Sequence, residues 1–415
     1  MGFGQGVSGI NAAAANLDVI GNNIANANTV GYKQSTAQFA DVYAGTKIGL
    51  GTSVNSVVQS FSQGNIESSG SSLDVAITNG MGFYRMVSSD GSVFYSRNGQ
   101  FQKQADGRLT NAQGLQLTGY PAGVAGGGGV KPQPLVISNA QMQPKATSTT
   151  SAQFNLNSGS TVPATAFVST PAALPTQSMF NYSTGITVYD SLGNAQQLTA
   201  YFSKQAAGPG TAAGGSDWQM NITDAAGNLV SGPAGAPAPI ALQFSSSGLL
   251  TSPTPAALAS FTLPAANGAA ALTSTIDLSG TTQFGAANDT KSLTQNGYTS
   301  GSLLGFAMQQ DGTILGSYSN QQTQSLGQVV LAGFGNVQGL QPQGNNVWSA
   351  TGSSGQELIA TPGGSLGQLK SNAVEDSNVD LSGQLVNLIV AQRNYQANAQ
   401  TIKAQDTVMQ TLVNL

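Results

Sequence analysis

Large apolar residues recur in alternating steps of four and three at both ends of the chain. The N-terminal series is Phe3, Val7, Ile10, Ala14, Leu17, Gly21 and Ile24. The C-terminal series is Leu381, Leu385, Leu388, Gln392, Tyr395, Ala399, Ile402, Asp406, Met409 and Val413. A 3.5-residue repeat is the seam of a coiled coil. It predicts one helix over residues 1–30, about 40 Å long at about 1.5 Å per residue. A second helix is predicted to start near Ser377–Leu381, capped by Asp380 or Ser377. The first helix should end in the Asn-rich run 22–29, whose amides compete for backbone bonds. Gly31 then breaks the chain before Tyr32 and Lys33. Gly21, Gln392, Ala399 and Asp406 interrupt the seams, and flanking charges are nearly absent. Each helix is therefore expected to pack on its partner from the other terminus and on further copies of the chain.

Between these ends the pattern turns to strands. Residues 34–72 are polar and extended, and read as a linker with some strand. Over 73–145, Asp90-Gly91, Asn98-Gly99, Asp106-Gly107 and Gln113-Gly114 punctuate short apolar runs and suit two-residue hairpin turns. Residues 146–285 hold ten of the sixteen prolines and only five charges. They still carry strand signals at Ile186–Tyr189, Leu198–Phe202 and Trp218–Ile222, and read as an inserted β-sandwich or barrel. The inner style resumes over 286–370, with Asp311-Gly312 between two apolar runs.

The predicted fold is mainly β with α-helical termini, nested and elongated. It comprises a terminal helical domain (1–33 plus 371–415), the linker (34–72), an inner β domain (73–145 plus 286–370) and an inserted outer β domain (146–285). The joints near 121–134 and 286–300 are expected to allow small rigid-body tilts.

Composition narrows the function. Charged residues make up 7% of the 415, against roughly 25% in ordinary globular proteins. Lys and Arg total 13 and do not cluster, so a nucleic-acid groove is not expected. No apolar run approaches the roughly 18 residues of a membrane span, so no membrane insertion is expected. With no cysteine and no histidine, thiolate metal sites and the usual neutral-pH proton shuttle are excluded. No cofactor, metal or catalytic residue is expected. The N-terminus lacks the basic patch and apolar core of a secretory signal.

Candidate chemistry is correspondingly thin. Asp90, Asp106 and Asp311 each precede a glycine, where a turn accounts for them. Gly126–Gly129 with Lys131 lacks the order of a phosphate loop and reads as a connector. Asp376 and Asp380 favour the positive end of the last helix. Trp218 and Trp348 read as core or interdomain anchors. A secreted β-rich hydrolase would need paired carboxylates in a cleft, and none is evident outside turns.

The run Asn22-Asn23-Ile24-Ala25-Asn26-Ala27-Asn28-Thr29-Val30-Gly31-Tyr32-Lys33 resembles the N-terminal signature of the bacterial flagellar rod and hook family. Phe39-Ala40-Asp41-Val42-Tyr43 is similar to its continuation. Glu375 to Leu381, with Ser377, Asn378 and Asp380, resembles the start of that family's last helix. Arg393-Asn394-Tyr395-Gln396-Ala397-Asn398 resembles the core of that helix. Gln321 stands where the family often has Gly, and Ala373-Val374 where a bulkier leucine is common. The chain's length and the block 146–285 favour a hook-type subunit over the shorter distal rod proteins, which remain the alternative, with a secreted adhesin behind them. The resemblance implies a curved, flexible extracellular tube that self-assembles and transmits torque from rod to filament. Implied partners are further copies of the chain, the distal rod protein, the hook cap, the hook–filament junction protein and the type III export apparatus. The expected polymerisation residues are Phe3, Val7, Ile10, Leu17, Ile24, Leu381, Leu385, Leu388, Tyr395, Ile402, Met409 and Val413. The motif residues are Asn22, Asn23, Asn26, Gly31, Tyr32, Ser377, Asn378, Asp380 and Arg393.

Overall fold

The structure is a computed structural model that describes residues 3–42, 49–124, 130–208, 213–232, 236–255 and 258–413. The expected helices form as α1 (Phe3–Ala25) and α2 (Leu381–Val413), and strands dominate the rest. α1 is shorter than its 1–30 prediction. The Asn-rich run lies mostly beyond it, in turns where the Asn26 side chain donates to the Asn22 carbonyl and Thr29 N–H donates to the Asn26 carbonyl. Asn side chains that compete for backbone bonds stop the helix early.

The chain divides into two compact units. The first comprises Met1–Asn139, Leu304–Ser317 and Thr323–Leu415, and the second Ala140–Leu303 and Tyr318–Gln322. In the first unit α1 and α2 pack on each other, and a hairpin of Ser35–Asp41 and Thr52–Gln59 lies against α1. The segment expected as a linker therefore carries regular structure. Its strands bury little except Ala37, so apolar alternation could not announce them. The large sheet of this unit runs through Thr313–Tyr318, Thr323–Val329, Gln116–Pro121, Phe83–Val87, Val93–Ser96 and Val347–Ser349. Phe61, Phe83, Tyr95, Phe334 and Trp348 pack edge to face beside it. The outgoing and returning segments meet in two short antiparallel ladders, Val75–Thr78 with Gln368–Ser371 and Ile66–Ser68 with Ala373–Glu375.

The second unit is a sandwich. One sheet holds Ala259–Leu263, Leu272–Asp277, Thr149–Asn157, Thr282–Phe284 and Asp289–Gln295; the other holds Tyr182–Tyr189, Ala195–Gln205, Ser216–Thr223, Ile240–Phe244 and Leu250–Ser252. Both contribute to one core, in which Phe154, Phe202, Trp218, Phe244 and Phe261 are buried. Asp289–Gln295 falls inside the stretch 286–300 expected as a joint, and pairs antiparallel with Thr149–Asn157. Its polar, mostly exposed sequence hid a strand whose binding is through the backbone. Of the other expected joint, 121–134, residues 125–129 lie outside the described residues, and Gln133-Pro134 pairs antiparallel with Thr118-Gly119.

The hairpins use one connection repeatedly, and it is longer than the two-residue turn expected. At Ser88–Ser92 the first N–H donates to the fifth carbonyl and the fourth N–H donates to the first carbonyl. The pattern recurs at 104–108, 111–115, 190–194, 224–228, 245–249, 309–313 and 318–322. It is a three-residue loop whose last residue sits in the left-handed region. Glycine fills that place with φ between +78° and +89° everywhere except the last, where Gln321 has φ +61°. Asn98-Gly99 makes no hairpin turn. Gly99 instead lets the backbone pass the strand at Val75, where a Cβ would lie 1.7 Å from the Val75 carbonyl oxygen.

A side chain in the left-handed region costs about 1–2 kcal/mol, which glycine avoids. Gln321→Gly should therefore stabilise the chain by about 0.5–1 kcal/mol after its own entropic cost. A rise in the urea midpoint checks this; an unchanged or lower midpoint contradicts it.

Candidate functional site: the terminal helix pair and its root

α1 and α2 run antiparallel. A Cβ on Gly6 would lie 2.8 Å from Ile402 Cγ1, and one on Gly9 2.6 Å from Asn398 Oδ1. At the other end the Asn23 side-chain amide donates to Gln384 Oε1 at 3.4 Å. Apart from Ile20, the residues buried on the two helices are small or amide-bearing: Gly6, Ala12, Ala13 and Asn23 on α1, and Gln384 and Ala391 on α2.

Of the expected apolar series, Ile402 lies against Gly6 in that seam, and the other described members are exposed or half-buried. Phe3, Val7, Leu381, Leu385, Tyr395 and Met409 are exposed; Ile10, Leu17, Ile24, Leu388 and Ile402 are half-buried. The Val413 side chain lies outside the described residues. Counting large apolar residues located the helices and, of their mutual contact, Ile402 but not the small residues. Two helices approach closely where side chains are small, so small and amide residues at seven-residue spacing (Gly6 and Ala13; Gln384, Ala391 and Asn398) were the informative signal.

Both helices are rooted in a buried polar cluster. Lys33 Nζ donates to Glu375 Oε1 at 2.7 Å and to the Ser62 carbonyl at 2.7 Å. Arg97 Nε lies 3.5 Å from Glu375 Oε2, and its terminal nitrogens donate to the Gly82 and Gly80 carbonyls. All three side chains are at most 1% exposed. Burial pushes Lys33 below the usual lysine value and Arg97 adds to that, while Glu375 opposes it. Burial also lowers Arg97, against the pull of Glu375. The Tyr84 phenol, buried beside them, is pushed well up by burial.

The motif residues build the walls of this root. Gly31, at φ +72°, donates its N–H to the Glu375 carbonyl at 2.7 Å, and a Cβ there would meet the Asn98 nitrogen at 2.7 Å. Asn23 Oδ1 accepts from Ser35 N–H and from the Tyr32 hydroxyl, and its amide donates to the Ser35 carbonyl. Asn378 Oδ1 accepts from Gln34 N–H, and its amide donates to the Ser60 carbonyl. Asp380 caps α2 by accepting from Ser382 N–H, while Ser377 accepts from Val379 N–H outside the helix. Asn22 Oδ1 accepts from the Asn26 amide. Arg393 is exposed on α2 and forms no ion pair among the described residues. Arg97 went unnoticed in the sequence; with so few charges in the chain, each one flanking a motif deserved a partner search.

The turn aspartates are engaged locally. Asp90, Asp106 and Asp311 each accept the N–H two residues on, at Ser92, Arg108 and Thr313. Trp218 and Trp348 lie in the cores of their respective units. Among the described residues no cluster of three acidic, His or Cys side chains is suited to a metal, and no helix is long and apolar enough to cross a membrane. Gly126–Gly129 lies outside the described residues.

Removing the shared anion leaves two buried cations without compensation, and breaking a buried pair typically costs about 3–5 kcal/mol. Glu375→Gln should lower the urea-unfolding free energy by about that amount, and Lys33→Met by clearly less because Arg97 keeps its partner. Equal losses in the two variants, read by Trp348 fluorescence, would contradict the shared-anion account.

Comparison with known proteins follows the same division of the chain. The family described as Flagella basal body rod protein matches residues 5–33, and Flagellar hook protein FlgE/F/G D1 domain matches 76–160. Flagellar basal body protein FlaE D2 domain matches 155–298, and Flagellar basal body rod FlgEFG protein C-terminal matches 370–415. Flagellar hook protein FlgE of Salmonella typhimurium is 46% identical over 420 residues, covering 100% of both chains. That of Escherichia coli is 47% identical over 422 residues with the same coverage, and that of Treponema pallidum 32% identical over 475 residues, covering 99% of this chain and 98% of the other. The crystal structure of Helicobacter pylori flagellar hook protein FlgE2 has a similar fold, with a TM-score of 0.53 at 15% identity, covering 75% of this chain and 99% of that one. With α1, α2 and the motif residues joined at a single root, and relatives matched from end to end, the chain belongs to the flagellar hook protein family and is a structural subunit of the hook.

Proposed function

We propose that the chain polymerises through the exposed apolar faces of its terminal helices into a curved, flexible extracellular tube that carries torque from rod to filament. The supporting observation is the division of labour on α1 and α2. Their mutual seam uses mostly small and amide side chains, with Ile402 against Gly6, while Leu385 (46% exposed), Val386, Ile389 and Val390 on α2 and Phe3 and Val7 on α1 face outward. Contiguous exposed apolar surface marks an interaction site, and a homopolymer supplies the partner. On this reading residues 1–33 and 371–415 form the polymerisation domain, with the inner and outer β domains outside it. Further contacts are the distal rod protein, the hook cap and the hook–filament junction protein. The chain passes through the type III export apparatus without a cleaved signal and acts without catalysis. The sparse charge of the outer unit suits surfaces that slide past one another as the tube bends, since few ion pairs must break.

Leu385→Asp and Val386→Asp place a charge on the outward face and leave the α1–α2 seam untouched. Each should abolish tubes, seen by electron microscopy of salted-out protein, because a buried unpaired charge is far costlier than an exposed one. Circular dichroism and the monomer's unfolding midpoint should stay at wild-type values. Normal tubes from either variant would refute the assignment.

A further inference from the structure

The two exposed apolar regions of the helix pair lie at opposite ends of one rod. The antiparallel register sets Gly6 against Ile402 and Asn23 against Gln384, which brings Phe3 level with about residue 405 of α2. α2 runs on to Val413, about 12 Å past the start of α1 at about 1.5 Å per residue. This tip exposes Phe3 (59%), Val408 (60%) and Met409 (61%). Next to the root, Leu385, Val386, Ile389 and Val390 follow the i, i+1, i+4, i+5 pattern of one helix face. No charged residue occurs between Leu381 and Gln392.

A polar tube whose subunits all point one way is built from heterologous contacts, in which one patch meets a different patch on the next copy. We propose that the tip of one helix pair docks on the root-proximal α2 face of another copy. The contact is staggered by about 20 residues, or about 30 Å along the helix. The inference rests on the polymer reading above and adds its register. The occupant is a second copy because each patch is apolar, each is left open by the seam within one chain, and a tube brings many copies of both together. The stagger also explains why α2 outlasts α1. The overhang is the part of the rod free to reach a neighbour without displacing the α1–α2 pairing.

The chain has no cysteine, so engineered thiols report a single contact. Tubes of the double variant Met409→Cys with Ile389→Cys, treated with an added thiol oxidant, should yield a ladder of covalent multimers on a denaturing gel. Each single variant should stay monomeric. Dimers from a single variant would indicate an isologous antiparallel contact and overturn the proposal, as would tubes of the double variant that give no ladder. A helical reconstruction of the wild-type tube is the second measurement, and it should place Met409 of one copy in side-chain contact with Ile389 of another. A tube with those residues apart overturns the register and leaves the polymer reading standing. Failure of the wild-type chain to form tubes overturns both.

Discussion

The first unit depends on a single shared carboxylate. Glu375 lies where the chain returns toward α2, Lys33 where it leaves α1, and Arg97 beyond a strand of the large sheet. Three segments far apart in sequence therefore close on one buried anion. Buried ionic groups of this sort add little net stability, because desolvation offsets their attraction. Among the described residues of this unit Glu375 is the buried anion that Lys33 and Arg97 share, and it ties the outgoing and returning segments together. The backbone bond from Gly31 to the Glu375 carbonyl and the Asn23 and Asn378 bridges then fix the direction in which both helices depart.

The pair itself divides two jobs that a coiled coil normally merges. In a two-stranded coil the large apolar residues are spent on the partner helix. Here glycine, alanine and amides make most of that contact, with Ile20 buried and Ile402 against Gly6, while Leu385, Val386, Ile389 and Val390 face out. A close approach between small residues brings the backbones together without using up apolar area. The consequence is a rod whose strongest association sites point away from itself.

Much of this was legible in the residues. The 3.5-residue repeat located both helices, the Gly-punctuated apolar runs located the hairpins, and Trp218 with its alternating neighbours marked a strand of an inserted β-sandwich or barrel. Three features were not legible, for separate reasons. The small residues at the contact between the helices were not legible because periodicity weighs large side chains, whereas Gly6, Gly9 and Ala391 act by being small. The strands at 35–41, 52–59 and 289–295 were understated because they bind through backbone hydrogen bonds and bury few side chains, so their sequences lack alternation. The length of the hairpin loops was misread because an Asp-Gly pair serves both a two-residue turn and the end of a three-residue one. Gln321 is the informative exception. Its departure from glycine was visible in the sequence, but only the backbone at φ +61° shows that it occupies the same left-handed place as its counterparts.

The thinness of the α1–α2 seam bears on how a subunit can travel before it is built in. Fully burying a leucine or isoleucine contributes about 1.5–3 kcal/mol, while ordering the backbone costs about 1–2 kcal/mol per residue. A seam in which Ile20 is the one large apolar side chain buried outright recovers little of that cost. Under the proposed function the deficit is made up by neighbouring copies, whose contacts bury the outward leucines and valines only at the growing end. A stickier seam would hold the monomer's helices firmly folded and resist passage as an extended chain. A seam with more charge would keep the monomer soluble but leave desolvated charges in the tube wall. Small residues inside the pair and apolar ones outside it avoid both outcomes, since they postpone most of the stabilisation until assembly supplies the partner.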